Sequence, residues 1–185
     1  MLQFENFLTE SKESDFLKAK DVEGCSSGDA GVVHELLYGF YVRQYVKTGK
    51  WTLVNPAKPE YRQYHMEKHP NSDNIPPRGA YIMKMRCFDS KQLATLADRA
   101  MFAAQEMVNF LEQKGYKIKD MHWTSKVGDI TRTTGVEIKN QKDQDDDGVF
   151  TCEREDGTTI YCGVSHKAYI DNTDSIFTSY SGMEA

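Results

Sequence analysis

The stretch Asp145-Asp146-Asp147-Gly148-Val149-Phe150-Thr151-Cys152-Glu153-Arg154-Glu155-Asp156-Gly157-Thr158-Thr159-Ile160-Tyr161-Cys162-Gly163-Val164-Ser165-His166-Lys167 decides how the chain is read. Two runs rich in β-branched, aromatic and Cys residues flank the turn signal Glu155-Asp156-Gly157, which predicts a β-hairpin. An acidic cluster leads into the first strand, and Lys167 leaves the second. Register decides which of these groups meet, because a slip of one residue sends every side chain to the opposite face of the sheet. A two-residue Asp156-Gly157 turn would set Cys152 opposite Tyr161 and Asp146 opposite Lys167. A three-residue loop centred on Gly157 would set Phe150 opposite Val164, Cys152 opposite Cys162 and Asp147 opposite Lys167. The second register gathers Phe150, Cys152, Ile160, Cys162 and Val164 on one apolar face and is preferred. Asp147 is then the first-choice carboxylate and Asp146 the reserve.

An acid at the start of one strand and an acid-any-Lys step at the end of the next is the hairpin signature of the PD-(D/E)XK nuclease-like superfamily, which this segment resembles. The form here, Gly163-Val164-Ser165-His166-Lys167, looks like a phage-associated branch with Ser-any-Lys in place of Glu-any-Lys. The preceding HWTSKVGDITRTTG, His122 to Gly135, is similar to the Trp-Thr-Ser…Gly-Asp…Thr-Gly segment of that branch. The likeness covers roughly residues 120–170 and the first long helix. It implies a restriction-endonuclease-like fold and hydrolysis of phosphodiester bonds, chiefly in DNA, with magnesium or manganese as cofactor. Asp147 would be the main metal ligand and Glu35, on the first helix, a second acid, with the Val164 or His166 carbonyl as a third oxygen. Lys167 would orient the attacking water or stabilise developing charge. Ser165 departs from the pattern, because a neutral hydroxyl is a weaker ligand than the usual acid. Either Glu35, Asp146 or Asp129 compensates, or a binding scaffold without catalysis remains, such as a phage virion or host-directed protein.

At 185 residues the chain is long enough to bury one substantial core, and its 39% hydrophobic and 28% charged residues fit a folded globular protein. The expected division is an N-terminal leader or docking segment at 1–20, a single nuclease-like domain at 21–170 and a weakly ordered tail at 171–185. No apolar run reaches the ~20 residues a bilayer span needs, and no secretory signal opens the chain. The expected location is intracellular, in a host cytoplasm or packaged in a phage head, with no membrane partner and with nucleic acid or a phage-head or host protein as partners. Residues 1–10, MLQFENFLTE, space Leu2, Phe4, Phe7 and Leu8 as in a short amphipathic helix. They also resemble the removable leader of internal head proteins in tailed phages, which implies cleavage after Leu8-Thr9-Glu10. A net charge of −5 argues against bulk electrostatic coating of nucleic acid but leaves room for a local basic rim. Cys25, Cys87, Cys152 and Cys162 lack zinc-ligand spacing, so buried free thiols are expected, with Cys152 and Cys162 placed to pair if oxidised.

The fold class expected is α/β: a small mixed β-sheet of 117–123, 148–154 and 159–167, flanked by two long helices. The first helix runs from Asp29 to Thr48 and is closed by Gly49; the second runs from Lys91 to Lys114, capped by Asp89 or Ser90 and stopped by Gly115. Glu35 lies amid the apolar face of the first, where a carboxylate needs a partner. Alternation over 80–88 predicts a further strand. From Trp51 to Arg78 aromatic and basic residues interleave, and Arg62 and Lys68 there are candidate nucleic-acid contacts. Residues 124–147 read as a polar loop in which Lys126 and Arg132 could meet phosphates.

Overall fold

The computed structural model describes residues 17–56, 84–123, 131, 135, 147–165 and 180–183. Helix α1 spans Asp29–Thr48 and helix α2 Ser90–Gln113; strands β1 Lys117–Trp123, β2 Gly148–Glu153, β3 Thr159–Val164 and β4 Tyr180–Met183 follow. The strands form one sheet in the order β1-β2-β3-β4, with every neighbouring pair antiparallel. The α/β class and its two long helices are therefore present, but the sheet is an antiparallel meander rather than the mixed sheet expected. The segment expected to be a weakly ordered end contributes β4. No helix among the described residues is long and apolar enough to cross a membrane.

Local chemistry sets the end of the first helix and the start of the second. Gly49 takes a left-handed conformation (φ 70°) after Thr48, and its N–H donates to the Tyr45 carbonyl at 2.7 Å. Asp89 caps α2 by accepting from the backbone of Lys91 and Gln92, while the Gln92 side chain accepts from the Asp89 N–H at 2.7 Å. This reciprocal box satisfies donors that a helix start leaves open. The two helices differ in what they bury. α2 is one-sided, presenting Leu93, Leu96, Ala97, Ala100, Ala104, Val108 and Leu111 to the core. α1 is buried on nearly every side from Val33 to Val42, with Glu35 half-buried, because it packs on α2 and on β1 together. Tyr38 meets Phe150 of β2 edge-on, with ring centroids 6.3 Å apart, which joins helix and sheet in a single core.

Residues 84–88 are not the expected strand. Lys84–Cys87 makes one turn of 3-10 helix, with Met85 and Cys87 fully buried and Arg86 exposed. Over Lys84–Cys87 the in-out alternation is that of this turn, which is pinned from two sides; residues 80–83 of the expected strand lie outside the described residues. The Lys20 N–H donates to the Cys87 carbonyl at 2.9 Å, and Cys87 is disulfide-bonded to Cys25 with their Cα atoms 5.7 Å apart. Cys25 and Cys87 are therefore not the free thiols expected, while Cys152 and Cys162 are free and buried.

Strand β1 carries a bulge between Ile118 and Asp120. The extra residue brings Ile118 and Met121, three apart, to the core face together, 7% and 0% exposed. At the β2–β3 hairpin, Gly148 lies opposite Val164, Phe150 opposite Cys162 and Cys152 opposite Ile160. Neither register read from the sequence is the one adopted. The loop does have three residues, but they are Glu155, Asp156 and Gly157. Arg154 accepts from the Gly157 N–H at 2.9 Å and donates to the Thr158 carbonyl at 2.9 Å, with Gly157 left-handed (φ 83°) in the last loop position. That is the common turn-plus-bulge loop, in which the glycine closes the loop rather than sitting at its centre. Moving the centre by one residue moves every pairing by two, which preserves the faces: Phe150, Cys152, Ile160, Cys162 and Val164 are all buried together.

Candidate functional site at the end of the β2–β3 hairpin

The shift by two residues changes the neighbour of the expected acid. The Asp147 N–H donates to the Val164 carbonyl at 2.8 Å, and the Ser165 hydroxyl donates to Asp147 Oδ2 at 3.1 Å. Asp147 therefore sits against Ser165 and not opposite Lys167 as the preferred register required. Both side chains are half-buried where the ladder ends. Gly148 holds the backbone here because a side chain would not fit without adjustment. A Cβ at this position would stand 2.5 Å from Met121 Cε and 3.2 Å from the His122 carbonyl oxygen, so β1 approaches β2 closely just beside Asp147.

Of the other expected site residues, Glu35 is in the helix layer, half-buried on α1. Lys167, Asp146, Lys126, Arg132, Arg62 and Lys68 lie outside the described residues, as do Asp129 and His166. Within the segment read as a polar loop, Thr131 is helical and accepts from the Gly135 N–H at 2.7 Å, and Gly135 is left-handed (φ 75°). The donors gathered at the hairpin end, a carboxylate and a hydroxyl, are hard oxygen ligands of the kind magnesium takes. Among the described residues, no group of three metal-ligating side chains includes Asp147 or Glu35.

Two polar clusters escaped the sequence reading. In the first, Arg43 of α1 reaches the β1 edge: its Nε donates to Asp120 Oδ1 at 3.0 Å and to the Met121 carbonyl at 3.1 Å, and a second nitrogen reaches Asp120 Oδ2 at 3.3 Å. His122 Nε2 lies 3.7 Å from Asp120 Oδ2. Burial holds the His122 imidazole below its usual pKa; Asp120 opposes that shift and Arg43 adds to it. The bulge makes this cluster, and a bulge has no local sequence signature.

The second cluster surrounds Asp29 in the first turn of α1. Its carboxylate, 3% exposed as a residue, accepts from the Ser26 backbone at 2.8 Å, the Ser26 hydroxyl at 3.1 Å and Lys84 Nζ at 3.1 Å, and Cys87 Sγ lies 3.6 Å from Oδ2. Burial raises the pKa of this carboxyl, but the hydrogen bonds from Ser26 and Lys84 outweigh it and leave the net shift downward. Nothing local could have announced the cluster, since Cys25 and Cys87 are 62 residues apart. Comparison of the chain with protein-family models, with curated proteins and with solved structures finds no match.

Proposed function

We propose that the hairpin end is the centre of a metal-dependent nuclease that hydrolyses phosphodiester bonds, with DNA as substrate. The observation that carries this reading is the contact between Asp147 and Ser165, which brings the acid of the first strand to the position two residues before Lys167 in the second. Asp147 would hold the cation through its carboxylate, and Ser165 would orient that carboxylate through its hydroxyl. Magnesium, when bound, would supply charge neutralisation and an activated water. Lys167 would contribute its ammonium to the developing phosphate charge, and Glu35 a second carboxylate from the helix layer.

A second reading, a binding protein without catalysis, draws on the same contact. A hydroxyl donating to Asp147 satisfies that carboxylate without any cation, whereas the acid usual at this position would not. The experiment that separates the two is a cleavage assay on single- and double-stranded DNA and RNA with magnesium or manganese, using the intact chain, Asp147→Ala and Ser165→Glu. Cleavage by the intact chain that Asp147→Ala reduces at least a hundredfold, with the fold retained by circular dichroism, supports the nuclease. No cleavage by the intact chain or by Ser165→Glu sinks it and leaves the binding protein.

A further inference from the structure

Outside the hairpin, the described residues hold one group of three side chains able to ligate a metal: Cys25, Asp29 and Cys87, whose Sγ, carboxylate oxygen and Sγ atoms all lie within 4.8 Å of one another. We propose that Cys25 and Cys87 are a reversible thiol pair which, when reduced, holds a zinc-class divalent cation together with Asp29. This site is independent of the nuclease reading and stands or falls apart from it.

The closed form is the disulfide. Opening it takes two electrons and two protons from a dithiol reductant, whose own sulfurs become the new disulfide; the Cys25–Cys87 bond breaks and leaves two thiols. Binding a divalent cation then releases the two thiol protons, since the thiolate is the ligand. Zinc takes thiolate sulfur at about 2.3 Å and carboxylate oxygen at about 2.0–2.2 Å, which spaces tetrahedral ligand atoms about 3.3–3.8 Å apart. The three donors are already gathered on that scale. Asp29 Oδ2 stands 3.6 Å from Cys87 Sγ, and the released sulfurs have only to part from bonding distance. Three protein ligands leave the fourth position to water.

The surroundings suit a bound cation in two ways. Asp29 Oδ2 faces the sulfur and also accepts from the Ser26 N–H at 2.8 Å and from Lys84 Nζ at 3.1 Å, while Oδ1 accepts from the Ser26 hydroxyl at 3.1 Å and lies 3.1 Å from Lys84 Nζ, so a cation would take the place of Lys84 on Oδ2 while Ser26 and Lys84 keep the carboxylate oriented through Oδ1. Charge also balances. Two thiolates and a carboxylate around a divalent cation carry a net −1, and the Lys84 ammonium beside Asp29 offsets it. Cys25 is half-buried, which gives reductant and cation a way in. Cys152 and Cys162 lack such a carboxylate and sit in the hydrophobic core.

The test is cobalt(II) and zinc titration of the full chain, oxidised and after anaerobic reduction, with the cobalt spectrum read for thiolate charge-transfer absorption and for the visible bands of tetrahedral coordination. Reduced protein is expected to take up one equivalent with that spectrum and oxidised protein to show none of it. Cys25→Ser should abolish the charge-transfer band of the pair, and Asp29→Asn should weaken zinc affinity at least tenfold against a competing chelator. Because Cys25→Ser can unfold the chain, alkylation of the unsubstituted reduced protein gives a second readout: bound zinc should shield Cys25 and Cys87, mapped by mass spectrometry, at least tenfold. Failure of reduced protein to bind either ion, a spectrum unchanged in Cys25→Ser, or equal uptake by oxidised protein overturns the assignment.

Discussion

His34 makes the fold sensitive to mild acid. It is fully buried in α1, its ring centroid 6.4 Å from that of Tyr38, and its pKa is held down from 6.5 to about 4 by burial and then by the nearby charge of Arg99 on α2. A base whose folded pKa lies below its unfolded value binds more protons when unfolded, so its contribution to stability is complete above the unfolded pKa. It is lost as pH falls from 6.5 towards 4. Integrating between these values gives a loss of about 2 kcal/mol on going from pH 7 to pH 4.5. Asp29 works in the same direction but in a lower window, below its usual 3.8. His122 adds a drop of the same sign through its lowered pKa. The assay is urea denaturation of the oxidised chain followed by circular dichroism at pH 7, 5.5 and 4.5, for the unsubstituted protein and for His34→Gln. The unsubstituted protein should lose about 2 kcal/mol more than the variant over that range, or about 1 M in midpoint. Parallel losses in the two proteins would show that His34 does not titrate between its folded and unfolded states, and the reasoning would fail.

Two further outcomes follow from the packing. Replacing Cys25 and Cys87 together by Ser removes a cross-link over 62 residues; chain entropy puts the cost at about 4 kcal/mol, checked by urea midpoints of oxidised protein, and a loss under about 1 kcal/mol would mean the disulfide constrains little of the unfolded chain. Gly148→Ala forces Met121 aside and presses on the His122 carbonyl, so it should destabilise by about 1–3 kcal/mol in the same assay, and a neutral result would refute the close approach of β1 to β2.

The parts of the fold legible in the sequence were those with local causes. Gly49 and Gly115 each end a helix by adopting a left-handed conformation that side chains resist, and the Asp89-to-Gln92 box needs only four consecutive residues. The hairpin faces were legible for a different reason. Alternation fixes parity, and parity survived the error in loop centre, so Phe150 and Cys162 were placed on the correct face although their partners were wrong. What could not be read depended on distant groups. The 3-10 turn at Lys84–Cys87 copies a strand's alternation because the disulfide and the Lys20 hydrogen bond hold it there. Arg43 meets Asp120 and the Met121 carbonyl across 77 and 78 residues, next to a bulge in β1.

The same two-residue shift gives Ser165 a physical meaning. A carboxylate at this position, as most members of the resembled superfamily carry, would stand against Asp147 at hydrogen-bonding range. Two carboxylates that close cannot both ionise unless a cation or a proton lies between them. Such a pair is therefore tied to a bound cation or to a shared proton. Ser165 instead donates to Asp147 Oδ2, a contact that needs no cation between the two groups. If the site is a nuclease, its cation is held by fewer charges than is usual and must be completed from the helix layer or by the nucleic acid's own phosphate oxygens. Affinity for magnesium would then be weak in the free protein and rise with substrate, which is why substrate must be present when metal dependence is measured.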